Sequence, residues 1–153
     1  MHNKLLDKLI AEFPGINFQP GHHFKWSPDT QTLFYNLSLK NAPVLLLHEL
    51  SHVLLKHDDF QLDIELVQKE AVAWKYTQTH LAPRYNVEIS DDEVEDAMDS
   101  YRTWLHKRSL CPECHTSAFQ TKTGTYKCLA CRCQWRTNDA RDRGLRRYRL
   151  IGS

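Results

Sequence analysis

Apolar residues recur at helical spacing at the N-terminus, where Leu5, Leu6, Leu9, Ile10 and Phe13 are separated by charged residues. This pattern predicts an amphipathic helix, ended by the breaker pair Pro14-Gly15. Over residues 16–36 the helical period is lost. Phe24-Lys25-Trp26 and Thr32-Leu33-Phe34-Tyr35 read as two strands of a hairpin, joined by the turn-forming Ser27-Pro28-Asp29-Thr30. A second helix is predicted from about residue 41, with Pro43 in its first turn. Val44 to Leu47, Leu50 and Val53 to Leu55 make it apolar nearly all round, hence buried. After the polar break His57-Asp58-Asp59, a third helix is expected over residues 62–81. Its inner face carries Ile64, Val67, Ala71, Trp74 and Leu81, and Pro83 ends it. Ser90 and Glu93 form a capping box for a fourth helix, with Val94, Ala97, Met98, Tyr101, Trp104 and Leu105 as its apolar stripe. No internal repeat or low-complexity segment interrupts this order.

The second helix holds the most specific chemistry, His48-Glu49-Leu50-Ser51-His52. Four residues apart on a helix, His48 and His52 project from one face and can share a single Zn²⁺. Glu49 lies beside the first ligand, placed to take a proton from water as that water attacks a peptide carbonyl. Two histidines and a carboxylate are costly to bury in so apolar a helix, and a metal relieves that cost. Catalytic zinc takes three protein ligands and keeps one position for water. The candidates for the third are His57, Asp58, Asp59, Asp63, Glu65 and Glu70. His57 is five residues past His52, so on a continuing helix it points about 140° away. Glu70 falls on the inner face of the next helix, where the small Ala71 and Ala73 permit close approach, and it is the favoured candidate. Tyr76, His80, Tyr101 and His106 are chemically able to stabilise an oxyanion, and the sequence does not choose among them.

The stretch from His48 to His57, followed by Glu70-Ala71-Val72-Ala73-Trp74, resembles the ImmA/IrrE-type metallopeptidases and the related peptidase domain of ArdC-type antirestriction proteins. The resemblance spans residues 30–82. It implies a hairpin before the metal helix, His48, His52 and Glu70 as zinc ligands, and Glu49 as general base. Val72 departs from the polar residue common there, and Gly21-His22-His23 is not part of the pattern.

The 153-residue chain is long enough for one modest core and a small appendage. No stretch has the length of a membrane span, and the N-terminal helix lacks the continuous apolar segment of a secretory signal. A cytoplasmic location is expected, so the five cysteines are read as metal ligands rather than disulfides. The net charge of +1 conceals an asymmetry. Residues 1–105 hold 9 Lys+Arg against 16 Asp+Glu, and residues 106–153 hold 11 against 3, giving −7 and +8. Two functional units are expected on this ground.

In the basic part, Cys111-Pro112-Glu113-Cys114 and Cys128-Leu129-Ala130-Cys131 form two C-x-x-C knuckles flanking a predicted hairpin turn at residues 121–126. Four thiolates at this spacing suit one structural Zn²⁺ in a zinc ribbon. Cys133 receives no role. Arg136, Arg141, Arg143, Arg146, Arg147 and Arg149, with Trp135 and Tyr148 among them, suit phosphate pairing and base stacking, so DNA or RNA is the expected partner.

The predicted fold is α+β: helices around a small antiparallel sheet with the H-E-x-x-H helix, plus a small C-terminal ribbon. A metallopeptidase-like domain is expected over residues 1–106, and a ribbon with a basic tail over residues 107–153. The expected function is a zinc-dependent endopeptidase, with one catalytic and one structural zinc, acting on protein substrates associated with nucleic acid and not on a membrane. An SprT/Spartan-like DNA-associated protease is one alternative, though that family's third-histidine motif is absent. A non-catalytic zinc-dependent nucleic-acid-binding protein is the other.

Overall fold

The computed structural model describes residues 3–140 and 144–150 and has an α+β architecture. The chain divides into two compact units, Met1–Asp58 with Ala71–Val94, and Asp59–Glu70 with Glu95–Ser153. Two helices, α3 (Asp63–Tyr76) and α5 (Asp91–Ser109), run without interruption through the points of division.

The first unit begins with α1 (Lys4–Glu12), whose free N-terminal amides are met by the Asn3 side chain accepting from the Leu6 N–H at 3.0 Å. Its Leu6 and Leu9 enter a core with Leu33, Leu46, Leu47, Leu50, Leu81 and Tyr85. Strands β2 (Lys25–Ser27) and β3 (Thr32–Tyr35) form the expected antiparallel hairpin, with Trp26 opposite Leu33. A further strand, β1 (Asn17–Pro20), pairs with β3 in parallel and makes the sheet order β1-β3-β2. Its polar sequence and terminal proline give no strand signal by themselves, but both are tolerated at a sheet edge.

Helix α2 (Ala42–Leu54) starts with Pro43 in its first turn and carries the whole His48-to-His52 pentad. Leu46, Leu47 and Leu50 are fully buried. Ser51, on the same helix, is also buried, and its hydroxyl lies 2.5 Å from that of Thr77. Thr77 opens a π-helical turn (Thr77–Leu81) at the end of α3, and the single turn α4 (Ala82–Arg84) continues through Pro83. Pro83 therefore sits in continuous helical backbone, where the π-turn passes into the last α-turn.

The inner face of α3 is rotated from the apolar stripe expected for it. Asp63, Leu66, Glu70, Ala73 and Trp74 are buried, whereas Ile64 and Val72 are 44% and 52% exposed and Ala71 is exposed. Two of the inward positions are carboxylates: Glu70, expected on the inner face, and Asp63, which the apolar stripe leaves out.

In the second unit, strands β4 (Phe119–Lys122), β5 (Thr125–Lys127), β6 (Gln134–Thr137) and β7 (Arg147–Arg149) form an antiparallel sheet in that order. Gly124, at φ +73° in the two-residue β4–β5 turn, supplies the left-handed backbone the turn needs. Tyr126 and Trp135 stack with ring centroids 5.7 Å apart inside a small core with Cys111, Cys128 and Cys133. At the start of α5, in the first unit, the Glu93 N–H donates to Ser90 Oγ at 3.1 Å, which is the serine half of the expected capping box. Met98 and Trp104 are buried from the predicted stripe, and so is Arg108.

The buried Arg108 is matched by the buried Asp63. Arg108 Nε donates to Asp63 Oδ2 at 2.8 Å, and the Tyr126 hydroxyl donates to the same oxygen at 2.5 Å. The Asp63 N–H donates to Gln120 Oε1 at 2.6 Å. Arg108 also donates to the Asn138 carbonyl at 2.5 Å, while its own carbonyl accepts from Trp135 Nε1 at 3.1 Å. Asp63, one of the candidate zinc ligands, is therefore committed to this network. Burial, followed by the Asp63 hydrogen bond, raises the Tyr126 hydroxyl well above the ordinary tyrosine range.

Candidate metal centres

Two groups of side chains among the described residues are arranged to hold a metal ion, His48 with His52 and Glu70, and the four cysteines 111, 114, 128 and 131. In each group the ligand atoms all lie within 4.8 Å of one another. Among the described residues, no helix is long and apolar enough to cross a membrane.

The first group is assembled by helix periodicity and by the rotation of α3. His48 and His52 are both buried, and their Nε2 atoms are 3.2 Å apart. Two nitrogens held about 2.05 Å from a tetrahedral zinc are about 3.3 Å apart, so this spacing suits one ion. Glu70 is 7% exposed and brings the carboxylate to the same place. The His48 ring stacks on Trp74, with centroids 4.1 Å apart and planes 19° from parallel, which fixes its orientation. Glu49, half-buried, follows His48 on α2.

His57 enters this site in a role the helical extrapolation does not provide. Helix α2 ends at Leu54, and Lys56 adopts a left-handed φ of 57°, reversing the chain. The His57 N–H then donates to the His52 carbonyl at 2.9 Å, and the two Nδ1 atoms lie 2.9 Å apart. A histidine that gives Nε2 to a metal needs a partner for Nδ1–H to hold its tautomer and ring plane. His57 Nδ1, 2.9 Å away, is placed to be that partner. Tyr76 and His80 face each other instead, their rings stacked at 4.6 Å, with His80 Nδ1 2.8 Å from Thr79 Oγ1.

The second group consists of two similar turns. The His115 N–H donates to the Cys111 carbonyl at 3.0 Å and the Arg132 N–H to the Cys128 carbonyl at 2.9 Å. His115 and Arg132 occupy equivalent left-handed positions, at φ 61° and 65°. Sulfurs pair across the turns at 3.5 Å, Cys111 with Cys131 and Cys114 with Cys128. Zinc–sulfur bonds of about 2.3 Å in a tetrahedron place sulfurs about 3.8 Å apart, so the donor set suits such an ion. The thiols do not share one character. The Thr116 hydroxyl and amide, with the Cys128 thiol, hold Cys114 down to about 6. Cys131 is favoured as thiolate by the Cys133 amide, yet desolvation and the neighbouring thiols push it up to about 12. Four sulfurs this close cannot all be thiolates without a cation among them.

The predicted arginines fall into separate environments. Arg136 is exposed on β6, its Cζ 4.7 Å from the centre of the Tyr148 ring. Arg146 is exposed, with its backbone N–H on Asn138 Oδ1. Arg147 gives its guanidinium to the Leu110 carbonyl, and Arg149 pairs with Glu113 at 2.7 Å. Arg141 and Arg143 lie outside the described residues. Cys133 is buried beside the cluster without joining it, and desolvation raises its thiol.

Comparison with known proteins finds no match among protein-family models, curated proteins or solved structures.

Proposed function

We propose that this chain is a zinc-dependent endopeptidase directed by its basic zinc ribbon to proteins associated with nucleic acid. The observation that carries the reading is the buried donor triangle His48, His52 and Glu70, with a glutamate immediately after the first histidine. His48 and His52 supply neutral imidazoles and Glu70 a carboxylate, the His₂Glu set of hydrolytic zinc sites. Zinc held there supplies Lewis acidity and lowers the pKa of water.

The chain's own groups perform the remaining work. Glu49 accepts the proton of the attacking water and returns it to the leaving amine. Trp74 and His57 hold the two histidine rings in place, so the donors need not reorganise during reaction. The cysteine cluster is the structural site, and the surplus of cations over residues 106–153 favours a polyanionic partner. Glu70 as third donor favours this reading over the SprT/Spartan-like one, which uses a third histidine.

The test measures zinc per chain and cleavage of a fluorogenic peptide library together. Wild type is expected to carry two zincs and His48→Ala one, while Glu49→Gln keeps two and loses cleavage. Full cleavage by Glu49→Gln would sink the enzymatic reading in favour of a non-catalytic zinc-binding protein.

A further inference from the structure

The four-stranded sheet of the second unit presents two unlike faces. Cross-strand pairing sets Gln120, Tyr126, Trp135 and Arg149 in one row. Tyr126 and Trp135 of this row are at most 1% exposed. The neighbouring rows are Phe119, Lys127 and Gln134 on one side, and Lys122, Thr125, Arg136 and Tyr148 on the other. Side chains alternate along a strand, and the irregularity between Gln120 and Lys122 brings Lys122 opposite Thr125, so these two rows share the opposite face. On that face Phe119 and Tyr148 are 43% and 42% exposed, Lys122 and Arg136 are exposed and Lys127 is half-buried, while Thr125 in the middle of its row is buried.

Aromatic rings left open on a flat sheet among cations are suited to a ligand with planar apolar faces and negative charge. We propose that this face binds single-stranded nucleic acid, with bases stacked on Phe119 and Tyr148 and phosphates on Lys127 and Arg136. The proposal rests on the nucleic-acid part of the function proposed above and sharpens it in two respects. It moves recognition from the arginine-rich tail to the sheet, because Arg147 and Arg149 already serve Leu110 and Glu113. It also selects single strands over duplex, because a duplex hides base faces within its own stack.

The dimensions agree with such a ligand. Phe119 and Tyr148 stand three strands and two residues apart, about 16 Å between backbone positions at ordinary sheet spacings, room for a few extended nucleotides. Arg136 lies over one face of the Tyr148 ring and orients it, so a base would stack on the exposed remainder of the ring with the guanidinium beside it to meet a phosphate. Charge complementarity favours nucleic acid over an apolar protein segment, since residues 106–153 hold 11 Lys+Arg against 3 Asp+Glu.

Fluorescence anisotropy of the full zinc-loaded chain with fluorescein-labelled dT20 and a 20-base-pair duplex tests this. The expected result is dT20 binding at least about tenfold tighter than duplex, weakened about five- to hundredfold by Phe119→Ala or Tyr148→Ala. Tyr148→Phe should bind like wild type, since it keeps the ring. Arg136→Ala should lower the slope of log K against log salt by about 0.7, the share of one single-strand phosphate. Zinc content verifies that each variant retains its ribbon. Duplex bound as tightly as dT20, with both aromatic variants unchanged, overturns the sheet-face proposal but leaves the basic module a nucleic-acid binder. Binding of neither probe by the wild type overturns the nucleic-acid part of the proposed function as well.

Discussion

Replacing Asp63 by alanine removes the one carboxylate oxygen on which both Arg108 and Tyr126 converge. The side chains of Arg108 and Asp63 are only 6% and 3% exposed, so solvent cannot replace the lost partner. Breaking a buried ion pair from one side costs about 3–5 kcal/mol, because the remaining charge stays buried. Arg108 keeps the Asn138 carbonyl and lies over the Trp104 ring, 4.9 Å from its centre, which places the cost at the lower end. About 3 kcal/mol is therefore expected, roughly a hundredfold in the opening equilibrium of this unit. The assay is native-state hydrogen exchange of the β5 and β6 amides in the zinc-loaded protein, supported by urea denaturation. Asp63→Asn, which keeps an acceptor and loses the charge, should cost about half as much. The triple change Asp63→Leu, Arg108→Met and Tyr126→Phe removes every polar member together and should lie within about 2 kcal/mol of wild type. If Asp63→Ala shifts the opening free energy by less than about 1 kcal/mol, the claim that a buried charge is stranded is refuted.

Two further outcomes are expected. His57→Ala should weaken zinc at the His48, His52 and Glu70 site by about ten- to hundredfold in a chelator competition, leaving the cysteine site unchanged; equal affinities would show that His57 does not position His52. In a spectrophotometric titration, Tyr85 should ionise late, since burial and its hydrogen bond to Glu12 push its hydroxyl up to about 12. A raised folded-state pKa means that this contribution to stability is complete below pH 10 and is lost as pH climbs towards 12. Tyr85→Phe should accordingly flatten the fall in stability across that window, and an unchanged fall would assign it to other groups.

Much of this organisation is a local property of the chain. The i, i+4 spacing of His48 and His52 puts their rings on one face of any helix, and the surrounding leucines bury that helix wherever it packs. The C-x-x-C repeats make tight turns whose sulfurs need only be brought together. The β2–β3 hairpin and the Ser90 cap likewise depend on neighbours within a few residues. Tertiary structure decided what neighbours in sequence cannot. Of the candidate third ligands, Glu70 joins the histidines, Asp63 is taken by Arg108 and Tyr126, and His57 turns back on His52. Glu70 is already favoured by its place on the inner face of α3, whereas the fates of Asp63 and His57 depend on residues distant in sequence and on the left-handed backbone at Lys56, which hydrophobic periodicity does not record. Strand β1 is held by its backbone pairing with β3, by the Asn17 side chain donating to the Thr32 hydroxyl and by Phe18 against the core, all of them contacts with residues outside the strand. The basic residues were evident as a cluster, but only folding separates Arg147 and Arg149, bound to their own chain, from Arg136 on the open face.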